Sequence, residues 1–198
     1  MRPGSAYLRL PENPYLREFR AVGGGGWDDY AHRQRLVYRY AWAVPDDGAI
    51  QAIADLRMGV VEAGAGGGYW ARMMRSVGID VIAYDAEPYS NDQANSRWTE
   101  VLVGGVSQVA AHPDRALMLC WPPYNTRMAY EHLVEWAVAG GRVLIYVGEH
   151  FGGCNANDMF FGCVDDNFVR MRAVDIPCWH GLHDYLAIFV RRDQPFRP

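Results

Sequence analysis

From Pro45 onward the hydrophobic positions alternate between two patterns. Solid apolar runs fall at residues 59–62, 80–84, 116–120 and 142–147, with a weaker one at 100–103 before Gly104 and Gly105. Short unbroken runs of this kind fit strands covered on both faces. Between them, apolar residues recur at helical spacing. Ile50, Ile53 and Ala54 follow a capping Asp46 or Asp47. A second helix covers 69–76. A third starts near Thr126, carries Ala129, Leu133, Trp136 and Ala137, and stops at Gly140 and Gly141. Residues 155–164 read as a further helix. Near the end, runs at 168–174 and 185–191 flank a polar loop with Pro177, Trp179, His180, Gly181, His183 and Asp184. They can pair as an antiparallel hairpin. The pattern predicts an α/β fold: a Rossmann-like, doubly wound, mostly parallel sheet with an antiparallel C-terminal edge strand.

The segment before Pro45 follows neither pattern at first. Pro3, Pro11 and Pro14 argue for irregular chain over residues 1–26, with Gly23 to Gly26 as a flexible joint. Asp28 or Asp29 then caps a helix through His32, Leu36 and Tyr40. Tyr38, Tyr40 and Trp42 share this region with Arg33, Arg35 and Arg39. That mixture fits a lid over a crevice, or an amphipathic helix with rings on the sheet and guanidinium groups in solvent. One domain is expected over 1–198, with 1–44 as an N-terminal extension or lid and 45–198 as the core.

The chain has 198 residues and a formal net charge of −4, so no global basic field advertises nucleic acid. Every one of its 19 basic residues is Arg. Without Lys there is no Schiff-base chemistry and no Walker-type phosphate loop. Cys120, Cys154, Cys163 and Cys178 form no CxxC pair, and their spacing with His150, His180 and His183 matches no zinc ribbon or finger, so no metal is expected. No signal peptide or membrane span is legible. A cytoplasmic protein with free thiols is the expectation, with no membrane partner.

The strongest chemical signal sits where the first strand gives way to a helix: Glu62, Gly64, Gly66 and Gly68, with Asp85 ending the next strand. Glycines there permit a tight turn and close approach of backbone amides to a ligand. An acid at the tip of the second strand can accept from both hydroxyls of a ribose. The nicotinamide pattern G-x-G-x-x-G/A fails, because its sixth position is Tyr69. The acidic-x-G-x-G-x-G pattern fits, and it resembles the first motif of class I S-adenosylmethionine-dependent methyltransferases. The resemblance covers roughly residues 60–147. It implies that the loop cradles the aminoacyl part of S-adenosylmethionine, that Asp85 binds the ribose, and that Glu62 orders the loop or binds the amino group.

A second signal, Cys120-Trp121-Pro122-Pro123-Tyr124, ends an apolar strand. It resembles the fourth motif of amine methyltransferases: Asp, Asn or Ser, then Pro-Pro and an aromatic residue. The resemblance implies that the first side chain and the first proline's carbonyl accept from a target amine. This sequence departs at the first position, where the Trp121 indole is a donor only. The Pro122 carbonyl remains as an acceptor, Tyr124 as a stacking surface, and His180 in the following loop as a general base for a hydroxyl or thiol. Glu149 is either a substrate ligand or a helix cap. The expected function is S-adenosylmethionine-dependent methyl transfer to an undetermined acceptor, an amine or nucleobase among the options. A non-catalytic S-adenosylmethionine-binding module and a small-molecule methyltransferase with a histidine base are the alternatives.

Overall fold

Seven strands form one sheet in the order β3-β2-β1-β4-β5-β7-β6. They are β1 (Val60–Ala63), β2 (Val81–Asp85), β3 (Leu102–Val103), β4 (Ala116–Cys120), β5 (Val143–Gly148), β6 (Phe168–Asp175) and β7 (Tyr185–Arg191). The computed structural model describes residues 11–23, 30–89 and 97–198. Strands β1 to β5 are parallel, and β7 runs antiparallel to both β5 and β6. The chain steps outward from β1 to β3, then returns to lay β4 against the other side of β1. That reversal opens a crevice at the carboxyl ends of β1 and β4.

The unbroken apolar runs are explained by cores on both faces. Within β4, Ala116 and Met118 face one cluster while Leu117 and Leu119 face the other, the period of two that a pleated strand imposes. The first cluster is roofed by α1 (Pro14–Ala21), α2 (Tyr30–Arg39), α3 (Asp47–Ala54) and α4 (Tyr69–Ser76). The second lies under α5 (Val106–Ala110), α6 (Met128–Val138) and α7 (Asp158–Asn167). Trp70, Trp136 and Trp179 are the largest fully buried side chains among the described residues, Trp70 and Trp179 in the first cluster and Trp136 in the second.

Several boundaries differ from the sequence reading. Residues expected to be irregular form α1, because Pro14 stands in its first turn, where a missing N–H costs nothing. Asn13 caps that helix by accepting from Leu16 N at 3.0 Å. The short α5 was not legible: it buries only Val109. Helix α7 starts three residues later than expected, where Asn157 accepts from Phe160 N at 3.1 Å. The expected cap at Asp28 or Asp29 and the Gly24 to Gly26 part of the joint lie outside the described residues.

Asn13 also ties the N-terminal layer to the core. Its Oδ1 accepts from Tyr69 Oη at 2.7 Å, and its Nδ2 donates to the Pro45 carbonyl at 2.8 Å. Replacing it removes a cap and strands a buried phenol, so Asn13→Ala should cost about 1–3 kcal/mol in urea unfolding.

Candidate functional site

The loop after β1 turns on glycines whose backbone no other residue adopts cheaply. Gly64, Gly66 and Gly68 have φ of 75°, 54° and 77°. The turn is pinned from below: Gly64 N and Ala65 N both donate to the Tyr84 carbonyl, at 2.9 and 3.0 Å. Asp85 completes the fastening. Its Oδ2 accepts from Gly66 N at 2.8 Å and its Oδ1 from Glu87 N at 2.9 Å. An ionised carboxylate has about four acceptor positions, so two remain after these bonds. Gly68 begins α4, and a Cβ there would lie 2.8 Å from Val101. It shapes the turn without lining the cavity.

A cavity of about 280 Å³ opens over this turn, lined by Glu62, Gly64, Gly66 and Asp85 together with residues after β3 and β4. Glu62 is 2% exposed and its Oε2 has no hydrogen-bond partner among the described residues. Burial pushes its carboxyl up to about 8; the nearby Arg75 opposes that shift and Asp85 adds to it. A buried acceptor left open at the edge of a cavity is a place for a donor that is not part of the protein.

The Trp-Pro-Pro-Tyr segment lies beside the turn, and its polar groups are largely committed. Trp121 has φ 52°, a costly conformation for a bulky residue. Its backbone N donates to the Val147 carbonyl at 2.8 Å, its indole donates to Asp184 Oδ1 at 2.8 Å, and its ring stacks on Trp42 at 5.0 Å. The Pro122 carbonyl accepts from Ala156 N at 3.1 Å, and the Pro123 carbonyl from Thr126 Oγ1 at 3.1 Å. Burial pushes the Asp184 carboxyl up to about 6, against the opposing bond from Trp121.

The remaining candidates are spread more widely. Trp121, Pro122 and Pro123 line the cavity over the glycine turn. Tyr124 lines a second, more open cavity of about 630 Å³ beside it, with Glu149, His150, Phe151 and His183. Glu149 is not the cap of α7, a place that Asn157 takes. It accepts from Cys154 N, Cys154 Sγ and His183 N at 2.8 to 3.0 Å. Burial alone would raise its carboxyl; those bonds outweigh burial and hold it low. His180 lies on an exposed turn and lines neither cavity. Trp179 does not wall a substrate: it is buried against Phe19 and donates to Tyr15 Oη at 3.2 Å.

Sequence reasoning missed part of the lining. Trp70, Gly104, Gly105, Met128 and His132 all border the first cavity, beside Trp42 from the segment expected to be a lid or a packing helix. Met128 and His132 are four residues apart on α6, and that spacing on an amphipathic helix was the available signal. His132 is buried, and burial lowers its pKa. Its Nδ1 lies 2.8 Å from the Met128 carbonyl, which assigns the proton to Nδ1 and leaves Nε2 an acceptor.

No family model matches the sequence, and no curated protein does. Solved structures do match. The magnesium protoporphyrin IX methyltransferase of Synechocystis PCC 6803, with bound SAM, superposes with a TM-score of 0.52 at 13% identity, covering 89% of this chain and 91% of that one. A putative type 11 methyltransferase from Sulfolobus solfataricus gives 0.54 at 9% identity, covering 75% and 92%. The pyocyanin biosynthetic protein PhzM gives 0.54 at 14% identity, covering 88% of this chain and 62% of its own. This chain has the class I methyltransferase fold. In that fold the first cavity lies at the switch point of the sheet, where ligands of open α/β proteins bind. No helix among the described residues is long and apolar enough to cross a membrane.

The raised Glu62 carboxyl has a stability consequence for this methyltransferase fold. Between its ordinary value of 4.5 and about 8, the folded chain holds a proton that the unfolded chain has released. The unliganded protein therefore loses stability as pH rises through that window. Melting temperatures taken from pH 5 to 8 should fall more steeply for the unaltered protein than for Glu62→Gln.

Proposed function

We propose that this protein binds S-adenosylmethionine in the cavity over the β1–α4 turn and transfers its methyl group to a small-molecule acceptor. One observation carries the reading. The Asp85 carboxylate is bonded to the Gly66 amide beneath a cavity whose other carboxyl, Glu62, is buried with an unpartnered oxygen. Asp85 keeps two acceptor positions for the paired hydroxyls of a ribose. Glu62 supplies an acceptor for the amino group of the aminoacyl end. The Gly66 backbone leaves room beside them, because a Cβ there would meet nothing within 4 Å. Gly104 and Gly105, which follow β3, border the side where the base belongs, and Met128 and His132 of α6 complete the lining.

Bound there, the sulfonium supplies a methyl group that is already activated. The protein's own task is alignment and exclusion of water. Trp42 reaches over from the N-terminal layer to stack on Trp121, and Tyr40 stacks on Trp98, whose indole donates to the Arg39 carbonyl at 2.7 Å. These contacts support a reading of the N-terminal extension as a cover, with Trp42 at the crevice itself. The acceptor enters from the neighbouring cavity bordered by Tyr124. An amine or nucleobase target is the weaker choice. Trp121 offers no acceptor, and the Pro122 carbonyl already takes a hydrogen bond from Ala156. The same facts support a second reading, a module that binds the cofactor without transferring its methyl group.

Calorimetry tests the reading. The purified protein should bind S-adenosylmethionine or its demethylated product, and Asp85→Ala should weaken that binding about 10- to 100-fold, the worth of hydrogen bonds to a charged group. Absence of binding to both compounds at millimolar concentration sinks the proposal. Formation of the demethylated product on incubation with a small-molecule extract separates the enzyme from the non-catalytic module.

A further inference from the structure

The polar and aromatic side chains that reach the first cavity share one tendency. Trp42 and Trp121, both partly exposed, border it with indole rings, and Glu62 and Asp85 border it with carboxyl groups. The chain carries 19 Arg and no Lys, and none of the Arg among the described residues lines this cavity. Ring faces carry negative quadrupole potential, so such a lining favours a cation over a neutral or anionic occupant.

Trp121 is held there at a cost. Its φ of 52° is unfavourable for a large side chain, yet three contacts keep it in place: the backbone bond to Val147, the indole bond to Asp184 and the stack on Trp42. The two rings are nearly parallel, at 11°. Trp42 covers one face of Trp121, and Asp184 takes its N–H. With its one polar group taken, Trp121 offers the cavity ring carbon and no competing hydrogen-bond donor. The strand order β3-β2-β1-β4 says which part of a ligand meets it. With a ribose at the tip of β2 and a base toward β3, the sulfur and aminoacyl end lies over β1 and β4, and Trp121 directly follows β4.

We infer that the Trp42–Trp121 pair is a seat for the sulfonium cation, and that it makes the crevice prefer the methyl donor to its neutral-sulfur product. This rests on the cofactor reading above. The two compounds differ only by the methyl group and the positive charge it brings, so their affinity ratio isolates the effect. A product that binds less tightly than the donor leaves the crevice more readily after transfer.

The experiment is calorimetric titration of the full chain with S-adenosylmethionine and, separately, with S-adenosylhomocysteine, at one pH and salt concentration. Trp121→Leu should weaken the donor about 2- to 30-fold more than the product. Trp42→Leu should act in the same direction, and Trp42→Phe, which keeps a ring face, should retain most of the discrimination. If Trp121→Leu does not fold, the two Trp42 variants decide the matter. Equal weakening of both ligands overturns the inference and leaves the cofactor reading standing. Failure of the unaltered protein to bind either ligand overturns both.

Discussion

The β1–α4 turn can hold its shape only because the neighbouring strand grips it from two sides. The Tyr84 carbonyl takes the amides of Gly64 and Ala65, and the next residue, Asp85, takes the amide of Gly66. Three successive N–H groups are thereby satisfied by two residues at the tip of β2. The left-handed glycines are what let the chain present them. Parallel pairing of Val60 to Ala63 with Val81 to Tyr84 sets the register that makes this grip possible. Cavity, acid and helix start all follow from it.

Around that grip the protein has concentrated unfavourable electrostatics. Glu62 is buried without a partner on one oxygen, and Asp184 has a second oxygen in the same condition. Each is shifted upward mainly by burial. Groups of this kind are costly in a fold and cluster where a ligand or a reaction completes them. The two differ in what they face. Glu62 borders the cavity, whereas Asp184 stands behind Trp121 and orients its indole.

The N-terminal layer belongs to the same assembly. Tyr15, Tyr40, Tyr69 and Trp98 form a chain of ring contacts at 4.8 to 5.9 Å, joining α1 and the end of α2 to α4. Trp42 extends from that chain to the strand-β4 turn. The alternatives of a lid and of an amphipathic helix with rings on the core are thus not exclusive. Tyr40 is buried in the core, while Trp42, 40% exposed, borders the crevice.

By itself the sequence determined the sheet, because buried strands leave unbroken apolar runs and covered helices leave a period near 3.6. Strands β4 and β7 and helix α4 have the very bounds that those patterns predict. It also determined the glycine turn and the acid 21 positions after Gly64, since local geometry demands those residue types at those places. Only the tertiary structure decided what meets across long separations. Trp121 and Asp184 are 63 positions apart, and the indole's need for an acceptor names no partner. The Pro122 carbonyl looks wholly open in sequence and in the fold already accepts from Ala156, which arrives from the loop before α7. Trp42 and His132 carry local signals that leave a cavity and a core undivided, because facing a ligand and facing a core require the same hydrophobic spacing. Pro14 reads as a helix breaker until Asn13 is seen to cap the helix it starts.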